Sequence, residues 1–530
     1  MNVNKKNLYI TLFFFLLSLF LAISYSIDQR AIHSALILSE LVEYPNEQNL
    51  YNLVQYNSWT FLHQLLGFLL NLKINIKTLS IIILFISVFS SIWGIYLLSK
   101  SITNKKFFSI FLTTIIIVTI PNFGSLDYPI LIFSEHTNAM LTIAIPTLIF
   151  GLIANRNFYI AGFISTFFIC IHLTVGFWYA STFLISIYFF NGKKNVLINI
   201  KKIFLYKFIG LIIVLFSFYI FRQNSITIPF EFDEVLYNNY LKIWDAHRSN
   251  HQSIDSINFK YIFLSLILIS MLLYCIKNNS LRLSTEVIFL FKYLIFLILF
   301  SFFIYILYKI FPGLFPDIAV RIMPTRFFLL HSFIGPVLII LIFFSMIKNI
   351  ENLKKFTFMR HIILVILIFH SFLNYDKFQD RISNFKNNIK VSNDTSKLKF
   401  WNELKKLDTS QGSILTTNVE TCDKTLRISN KPILICIEAI DFIPYLPNLI
   451  TPTKNIITEV YGVDFFNPPQ KNRGGIVSDN FFREKFENRN LEEWGIIAKN
   501  YKLSGIIVLK SWNMKLKPLL IGKKYVYYSF

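Results

Sequence analysis

The residues that could perform acid–base chemistry begin at Asp28, directly after the first apolar run of the chain. The polar stretch 28–58 also contains His33, Glu40 and Glu43. A carboxylate at a helix end, partly shielded from water, can act as a general base if its neighbours hold it ionised and aimed. The structural alternative is an acid that only marks the end of a membrane helix. Asp28 is therefore the first candidate catalytic residue, and His33 is a candidate for substrate binding.

A second polar stretch contains Asp127, Glu135 and His136, in the sequences S-L-D-Y-P and S-E-H-T-N. We interpret Asp127 and Glu135 as further catalytic candidates and His136 as a substrate-binding candidate. The alternative for Glu135 is structural, because an acid near a helix start is favourable against the helix dipole. Such a set could also bind a divalent cation, but its spacing specifies no metal.

Two more stretches combine titratable and aromatic side chains. His172 lies between two apolar runs, where it could orient a substrate or pack by a hydrogen bond to a neighbouring helix. Asp245, His247 and Arg248 follow Trp244 in W-D-A-H-R. Polar groups beside an aromatic surface suit sugar rings, whose faces are apolar C–H groups and whose rims form hydrogen bonds. The alternative is an amphipathic helix with a solvated charged side.

Two arginines, Arg321 and Arg326, precede an apolar run in P-D-I-A-V-R-I-M-P-T-R. Arginine binds phosphate through two parallel hydrogen bonds and keeps its charge near lipid. We expect these residues to bind a phosphate-bearing lipid headgroup. The alternative is ion pairing with Asp317 or with a loop carboxylate.

The elements that position these residues are membrane helices. The chain has 530 residues, 54% hydrophobic and 15% charged, whereas soluble domains are about 25% charged. Apolar runs predict about eleven transmembrane helices, at 8–27, 79–99, 107–121, 139–154, 158–172, 175–190, 208–221, 261–276, 287–310, 327–347 and 362–373. The run 59–72 is too short for an easy span and suits an interfacial helix. If it did cross, the orientation of everything downstream would invert.

The net charge of +22 is explained by clusters of Lys and Arg between the apolar runs, which excludes nucleic acid as the expected partner. If the first helix enters from the cytoplasm and 59–72 does not cross, six clusters fall on the cytoplasmic face. They are Lys5/Lys6, Lys100/Lys105/Lys106, Arg156, Lys193/Lys194/Lys201/Lys202/Lys207, Lys277/Arg282 and Lys348/Lys354/Lys355/Arg360. The opposite face then receives the loops 28–58, 122–138, 222–260 and 311–326, together with everything after Asn374. The candidate residues lie in these loops, except His172, which is predicted at the outer end of a helix.

From Tyr375 onward the composition is that of a soluble protein, so we divide the chain into a membrane domain, 1–374, and an extracytoplasmic domain, 375–530. Helical patterns at 396–407 and 491–501, with short strands at 413–417, 433–437, 505–509 and 525–530, predict a small α/β domain. Cys422 and Cys436 could pair in an oxidising compartment, the alternative being two free thiols. Cys170 and Cys275 read as small core hydrophobes.

With these features assembled, the chain resembles the GT-C class of polytopic membrane glycosyltransferases. The shared pattern is a many-helix membrane region, an acidic first outer loop directly after the first helix, interfacial helices in that loop, and a soluble C-terminal domain outside. The chain is also similar to uncharacterised bacterial multi-pass proteins with Y-P-N, H-x-x-x-G, W-D-x-H-R and M-P-x-R stretches. These stretches lie here at residues 44–46, 172–176, 244–248 and 323–326.

The resemblance implies a cell-envelope enzyme of the bacterial inner membrane that uses a polyprenyl-phosphate sugar donor and a carbohydrate or lipid acceptor. It places Asp28 at the catalytic acid position and Arg321 or Arg326 at the donor phosphate. Here the loop reads Asp28-Gln29 where many members carry two adjacent acids, which leaves Glu40, Glu43 and Asp127 as alternatives. Two rival functions are a transporter or flippase for a lipid-linked or anionic substrate, and a non-catalytic membrane assembly protein.

Overall fold

Most of the described chain is α-helical, as expected for apolar runs that must satisfy their backbone hydrogen bonds within lipid. The structure is a computed structural model and describes residues 3–24, 31–104, 106–119, 137–190, 200–245, 254, 257–278, 281–315, 322–349, 375–389, 395–408, 412–436, 440, 442–473, 477 and 479–530. The helices up to residue 349 are α1 (Val3–Ser24), α2 (Ala31–Leu38), α3 (Leu50–Asn57), α4 (Phe61–Asn71), α5 (Ile76–Thr103), α6 (Lys106–Thr119), α7 (Thr137–Ala154), α8 (Phe158–Phe167), α9 (Leu173–Phe190), α10 (Ile200–Asn224), α11 (Glu234–Ile243), α12 (Phe259–Lys277), α13 (Thr285–Ile310) and α14 (Leu330–Asn349). The later helices are α15 (Tyr375–Ile389), α16 (Thr395–Lys406), α17 (Val419–Arg427), α18 (Ile450–Asn455), α19 (Asp479–Asn488) and α20 (Leu491–Tyr501).

Six helical segments in the described part of the chain are long and apolar enough to cross a membrane. They are Ile76–Thr103, Leu173–Phe190, Ile200–Asn224, Phe259–Lys277, Thr285–Ile310 and Arg326–Ser345. Four further predicted spans, those beginning at residues 8, 107, 139 and 158, coincide with shorter apolar helices, and the last, 362–373, lies outside the described residues. Helix α4 has 11 residues and is therefore about 16 Å long, too short to span a hydrocarbon core of about 30 Å.

Helix α10 shows the surface expected of a lipid-facing span. Only 22% of its most apolar window is buried inside the protein, and Phe204, Phe208, Leu215 and Phe216 are all exposed. A helix that is apolar all round and exposed has no stable place in water. The abundance of phenylalanine therefore reflects contact with lipid.

The described chain divides into two compact units. Unit 1 contains Met1–Gln29, Lys77–Ser217 and Ile257–Val391, and unit 2 contains Arg30–Ile76, Phe218–Ser256 and Ser392–Phe530. Unit 2 is thus assembled from the segment after the first helix, the last two turns of α10 with the segment that follows, and the C-terminal part. The predicted domain boundary after residue 374 stays a prediction.

One end of unit 1 gathers several helix ends that carry positive charge. Lys100 Nζ donates to Asn155 Oδ1 at 3.1 Å, and the neighbouring Arg156 forms an ion pair with Glu286 at the start of α13. Near the C-terminal end of α14, the Ser345 hydroxyl donates to the Ile102 carbonyl at the end of α5. Positive clusters that the sequence assigns to the cytoplasmic face therefore lie together within this unit.

Unit 2 contains a four-stranded sheet with the strand order β1-β2-β4-β3. Strands β1 (Ser413–Thr416) and β2 (Leu503–Leu509) are parallel, and β4 (Tyr525–Ser529) is antiparallel to both β2 and the edge strand β3 (Pro518–Ile521). Leu415 aligns with Ile506, and Ile507 with Tyr527. One face of the sheet is covered by α16, whose Trp401 and Leu404 pack in a core with residues of β1, β2 and β4.

The structure confirms the helices predicted at 396–407 and 491–501 and three of the predicted strands, with small changes of boundary. The strand predicted at 433–437 is wrong over the described residues 433–436, which form one isolated bridge between Ile433 and Ile414. The Ile414 N–H donates to the Pro432 carbonyl and the Leu434 N–H donates to the Ile414 carbonyl, so the segment pairs with β1 over a single rung, and beyond it Cys436 is held by a disulfide bond. Strand β3 is an addition to the predicted set.

Candidate functional site

The M-P-T-R sequence forms a turn that three helices hold in place. The Trp178 indole N–H in α9 donates to the Ile322 carbonyl at 2.6 Å, and the Ser301 hydroxyl in α13 donates to the Pro324 carbonyl at 2.9 Å. Arg326 Nη2 donates to the Thr142 hydroxyl of α7 at 3.1 Å. Contacts from separate helices fix both the backbone and the guanidinium, so the arginine is positioned before any ligand arrives.

Arg326 lines an open hollow of about 420 Å³ within unit 1. Its walls include the aromatic rings of Trp178 and Tyr179 and the hydroxyl groups of Thr142 and Ser332. Among the lining residues, all of them in the described part of the chain, Arg326 carries the only charge. A half-buried guanidinium with mainly apolar surroundings favours an anion, and its planar donors match the oxygens of phosphate.

His172 caps the helix that carries Trp178. Its Nδ1 accepts the backbone N–H of Val175 at 3.5 Å and contacts the Thr174 hydroxyl at 3.3 Å. Four residues on, a Cβ atom at Gly176 would lie 2.4 Å from the Ile169 backbone nitrogen. The H-x-x-x-G sequence therefore satisfies a helix start and lets α9 pack closely on the preceding turn.

A buried charged cluster joins distant parts of the chain in unit 2. His33 Nε2 lies 2.7 Å from Asp423 Oδ1, and Arg427 Nη2 lies 2.9 Å from Asp423 Oδ2. The exposed fractions of the three side chains are 6%, 16% and 14%. Burial by itself raises the pKa of Asp423, but its hydrogen bonds and charge interactions with His33 and Arg427 outweigh burial and hold that pKa well below its ordinary value.

Two further contacts attach the 31–57 segment to the C-terminal part. The Ile433 backbone N–H donates to the Tyr44 hydroxyl at 3.2 Å, and Asn49 Nδ2 donates to the Ser413 hydroxyl at 3.3 Å. Cys422, next to Asp423, forms a disulfide bond with Cys436. Of the two alternatives for these cysteines, pairing or two free thiols, the structure has the pairing. The contacts His33–Asp423, Tyr44–Ile433 and Asn49–Ser413, together with this disulfide bond, are called the loop clamp. Cys170 and Cys275 are free and buried, as expected.

We expect Asp423→Ala to lower the free energy of unfolding of unit 2 by about 3 kcal/mol, because it leaves two buried partners, His33 and Arg427, without their acceptor. The measurement is proteolysis of the full chain in detergent at increasing urea concentration. The matched control is Glu403→Ala, which removes an exposed carboxylate 3.9 Å from Lys399 in the same unit. It should change stability by less than about 0.5 kcal/mol. Equal effects of the two variants would contradict a buried structural cluster.

Glu420 forms a second charged cluster on α17. Its carboxylate accepts from Lys424 Nζ and the Tyr525 hydroxyl at 2.6 Å and from Lys524 Nζ at 2.5 Å. Burial by itself raises the pKa of Glu420, but these three hydrogen bonds lower it to about 2. Helix α17 is thereby joined to β4 by charged groups that must remain ionised.

These lowered pKa values predict an acid-sensitive unit 2. A carboxyl whose pKa is lower in the folded state stabilises the fold above its unfolded pKa of about 4, and this contribution is lost as pH falls. We expect the unfolding temperature to decrease progressively from about pH 4 to about pH 2, where Glu420 itself takes up a proton. Glu420→Gln should flatten this decrease, whereas Glu484→Gln, a change of an exposed residue on α19, should not. Parallel curves for all three proteins, measured by thermal scans, would contradict the assignment.

The predicted aromatic surface beside W-D-A-H-R is wrong. Trp244 is fully buried, and its indole N–H donates to the Phe465 carbonyl at 2.9 Å. Its ring packs against the Phe465 ring, with centroids 5.4 Å apart, so it offers no free face to a sugar. Asp245 is also buried, at the end of the turn after α11. The burial of Trp244 in the core could not be predicted from this stretch, because the residues that follow it are mostly polar.

Seven of the predicted site residues lie outside the described residues: Asp28, Asp127, Glu135, His136, His247, Arg248 and Arg321. The structure places His33 and Asp245 in unit 2, and His172 and Arg326 in unit 1. Within the described ranges, no group of three or more His, Cys, Asp or Glu side chains could hold a metal ion.

No protein-family model and no curated protein matches this sequence. The case for function therefore depends on the residues themselves, of which Thr142, Trp178, Asp423 and Arg427 were not among the predicted site residues. Asp423 and Arg427 are four residues apart, a spacing that pairs opposite charges on a helix. That spacing was a readable signal, but the partner His33 is 390 residues away.

Proposed function

We propose that this chain is an integral membrane glycosyltransferase-like protein that transfers a sugar from a polyprenyl-phosphate donor. In this proposal the chain crosses a bacterial inner membrane eleven times, and the loops with the C-terminal domain face outward from the cytoplasm. The single observation that carries the proposal is the Arg326 hollow, where a fixed guanidinium is combined with apolar and aromatic walls. A lipid-linked phosphate needs both features.

The ends of the helices around Arg326 support its assignment to the donor. Val175 lies in the first turn of α9, Thr142 and Trp178 lie in the second turns of α7 and α9, and Arg326 opens the 3₁₀ turn 326–329 that leads into α14. The start of a helix carries a partial positive charge, and beside Val175 that charge adds to the attraction of the guanidinium for phosphate. The apolar remainder of the hollow suits the first part of a polyprenyl chain.

The disulfide bond between Cys422 and Cys436 supports the outward orientation of unit 2. Disulfide bonds persist in oxidising compartments and are rare in the cytosol. The positive-inside distribution of Lys and Arg supports the same orientation independently.

The proposed reaction is a displacement at the anomeric carbon of the donor sugar. The acceptor hydroxyl oxygen forms the new glycosidic bond, and Asp28 accepts the hydroxyl proton as the general base. The bond from the anomeric carbon to the phosphate oxygen breaks, and its electron pair leaves with the polyprenyl phosphate. Arg326 stabilises the charge that this phosphate gains.

The test uses the full chain in proteoliposomes with a polyprenyl-phosphate hexose labelled in the sugar, and cell-envelope material as the source of acceptor. Release of polyprenyl phosphate with transfer of label, lost in Asp28→Asn protein that still inserts, would support the proposal. Full activity in that variant would remove Asp28 from the role of base. Movement of intact donor across the bilayer would identify a flippase instead. The absence of both transfer and movement would favour a non-catalytic assembly protein.

A further inference from the structure

A pocket of about 290 Å³ lies in unit 2, where the Y-P-N sequence meets the start of β1 and the end of α20. It is lined by Tyr44, Pro45, Asn46, Asn49, Gly412, Ser413, Tyr501 and Lys502. These residues come from segments more than 350 positions apart, so the pocket exists only in the folded unit.

The walls of the pocket are rigid. Asn49 Oδ1 accepts the backbone N–H groups of Tyr51 and Asn52, while its Nδ2 donates to Ser413. Ser413 N–H donates to the Lys502 carbonyl at 2.9 Å. At Gly412 a Cβ atom would lie 2.1 Å from that same carbonyl oxygen, so only glycine allows the two segments to approach. The pocket is therefore formed in advance of any ligand.

Three donor groups of the pocket have no acceptor in the part of the chain that the structure describes. The Tyr44 hydroxyl accepts from Ile433, which leaves its own proton unused. The Asn46 side-chain oxygen accepts the Gln48 N–H at 3.3 Å, which leaves its NH₂ group unused. Lys502 is exposed and forms no ion pair within the described residues.

The remaining side chains determine the kind of ligand. The Tyr501 hydroxyl donates to Glu459 at 2.7 Å, so Tyr501 has no donor left for a ligand and contributes its aromatic ring to the lining. None of the described residues that line the pocket carries a carboxylate. A ligand must then supply several acceptor oxygens and an apolar face, and a negative charge would be favourable beside the lysine.

We propose that this pocket binds a saccharide unit that bears an acidic group. The ring oxygens and hydroxyl oxygens accept from Tyr44 and Asn46, the acidic group pairs with Lys502, and the C–H face packs on Tyr501. This binding proposal names the class of acceptor for the proposed transferase, and it therefore rests on the proposed function. Binding itself requires no turnover, so it is measured separately.

The experiment is titration calorimetry of the full chain in detergent with glucuronate, glucose and acetate as probes. We expect glucuronate to bind more tightly than either glucose or acetate. Lys502→Asn should weaken glucuronate binding about tenfold and leave glucose binding unchanged. Asparagine is chosen because Lys502 has a φ of 49°, a left-handed conformation that asparagine tolerates. The control is Lys499→Asn, an exposed lysine in the last turn of α20, which should have no effect.

Two results would overturn the proposal. Equal affinity for acetate and glucuronate would show a simple anion site without sugar recognition. Unchanged glucuronate binding in Lys502→Asn would exclude the lysine and the pocket with it. Sugar binding that is retained while no transfer activity is found would instead count against the proposed transferase and leave this pocket in place.

Discussion

Arg326→Met is expected to lower kcat/KM for transfer from a polyprenyl-phosphate donor by about a hundredfold. The variant keeps a long apolar side chain beside Met323 and Trp178 but removes the guanidinium that stabilises the departing phosphate. Arg326→Lys should show a smaller decrease in kcat/KM, because lysine keeps the positive charge and lacks only the paired geometry of the guanidinium donors. The measurement is initial rates in proteoliposomes at several donor concentrations.

The control for this experiment is Arg222→Met, which removes an exposed arginine from the last turn of α10. It changes the net charge by the same amount and should leave kcat/KM unchanged. If Arg326→Met protein inserts normally and retains full activity, the hollow does not hold the donor phosphate. A decrease of similar size in both variants would point to net charge at the membrane surface as the cause.

Gly94→Ala is expected to lower the free energy of unfolding by about 3 kcal/mol or more. A Cβ atom at Gly94 would lie 2.4 Å from the Thr147 carbonyl oxygen, and one at Gly151 would lie 2.4 Å from the Gly94 carbonyl oxygen. Helices α5 and α7 thus cross with their backbones in contact, a mode of packing that small residues allow in membranes. One methyl group forces the helices apart, and overpacking of this kind is costly.

The control is Gly495→Ala, inside helix α20. There no atom of the described residues would lie within 4 Å of the added Cβ, and alanine favours helix over glycine by about 1 kcal/mol. Gly495→Ala should therefore leave stability unchanged or slightly higher. Thermal unfolding in detergent distinguishes the two variants, and a similar loss in both would contradict close packing at Gly94.

The sequence predicted those features that depend on local patterns. Hydrophobic length located the spans at 79–99 and 287–310, because a helix must match the thickness of the bilayer. The capping signal Asn490 with Glu493 marks the start of α20, which was predicted with its observed boundaries. Strand β3 was missed because its residues are mostly exposed and begin with proline, so it lacks the alternation of a half-buried strand.

Features that depend on contacts between distant residues could not be predicted. Nothing local to His33 indicates Asp423 as its partner, and nothing local to Gly94 indicates that α7 lies against it. The expected aromatic surface at Trp244 is absent for the same reason, because Phe465, from a distant segment of the chain, packs against its ring and accepts its N–H. Arg326 was a candidate from its chemistry and remains one, but Thr142 and Trp178, whose hydrogen bonds hold it and its turn, are ordinary residues in apolar helices.

The loop clamp has a consequence for the synthesis of this protein. His33 leaves the ribosome 390 residues before its partner Asp423, a delay of roughly 20–80 s at ordinary rates of translation. Throughout that interval α2 and α3 have none of their final partners in the C-terminal part. The nascent chain is therefore open to proteases in this segment until the C-terminal part is made, and termination anywhere before residue 423 would leave the segment permanently without these contacts.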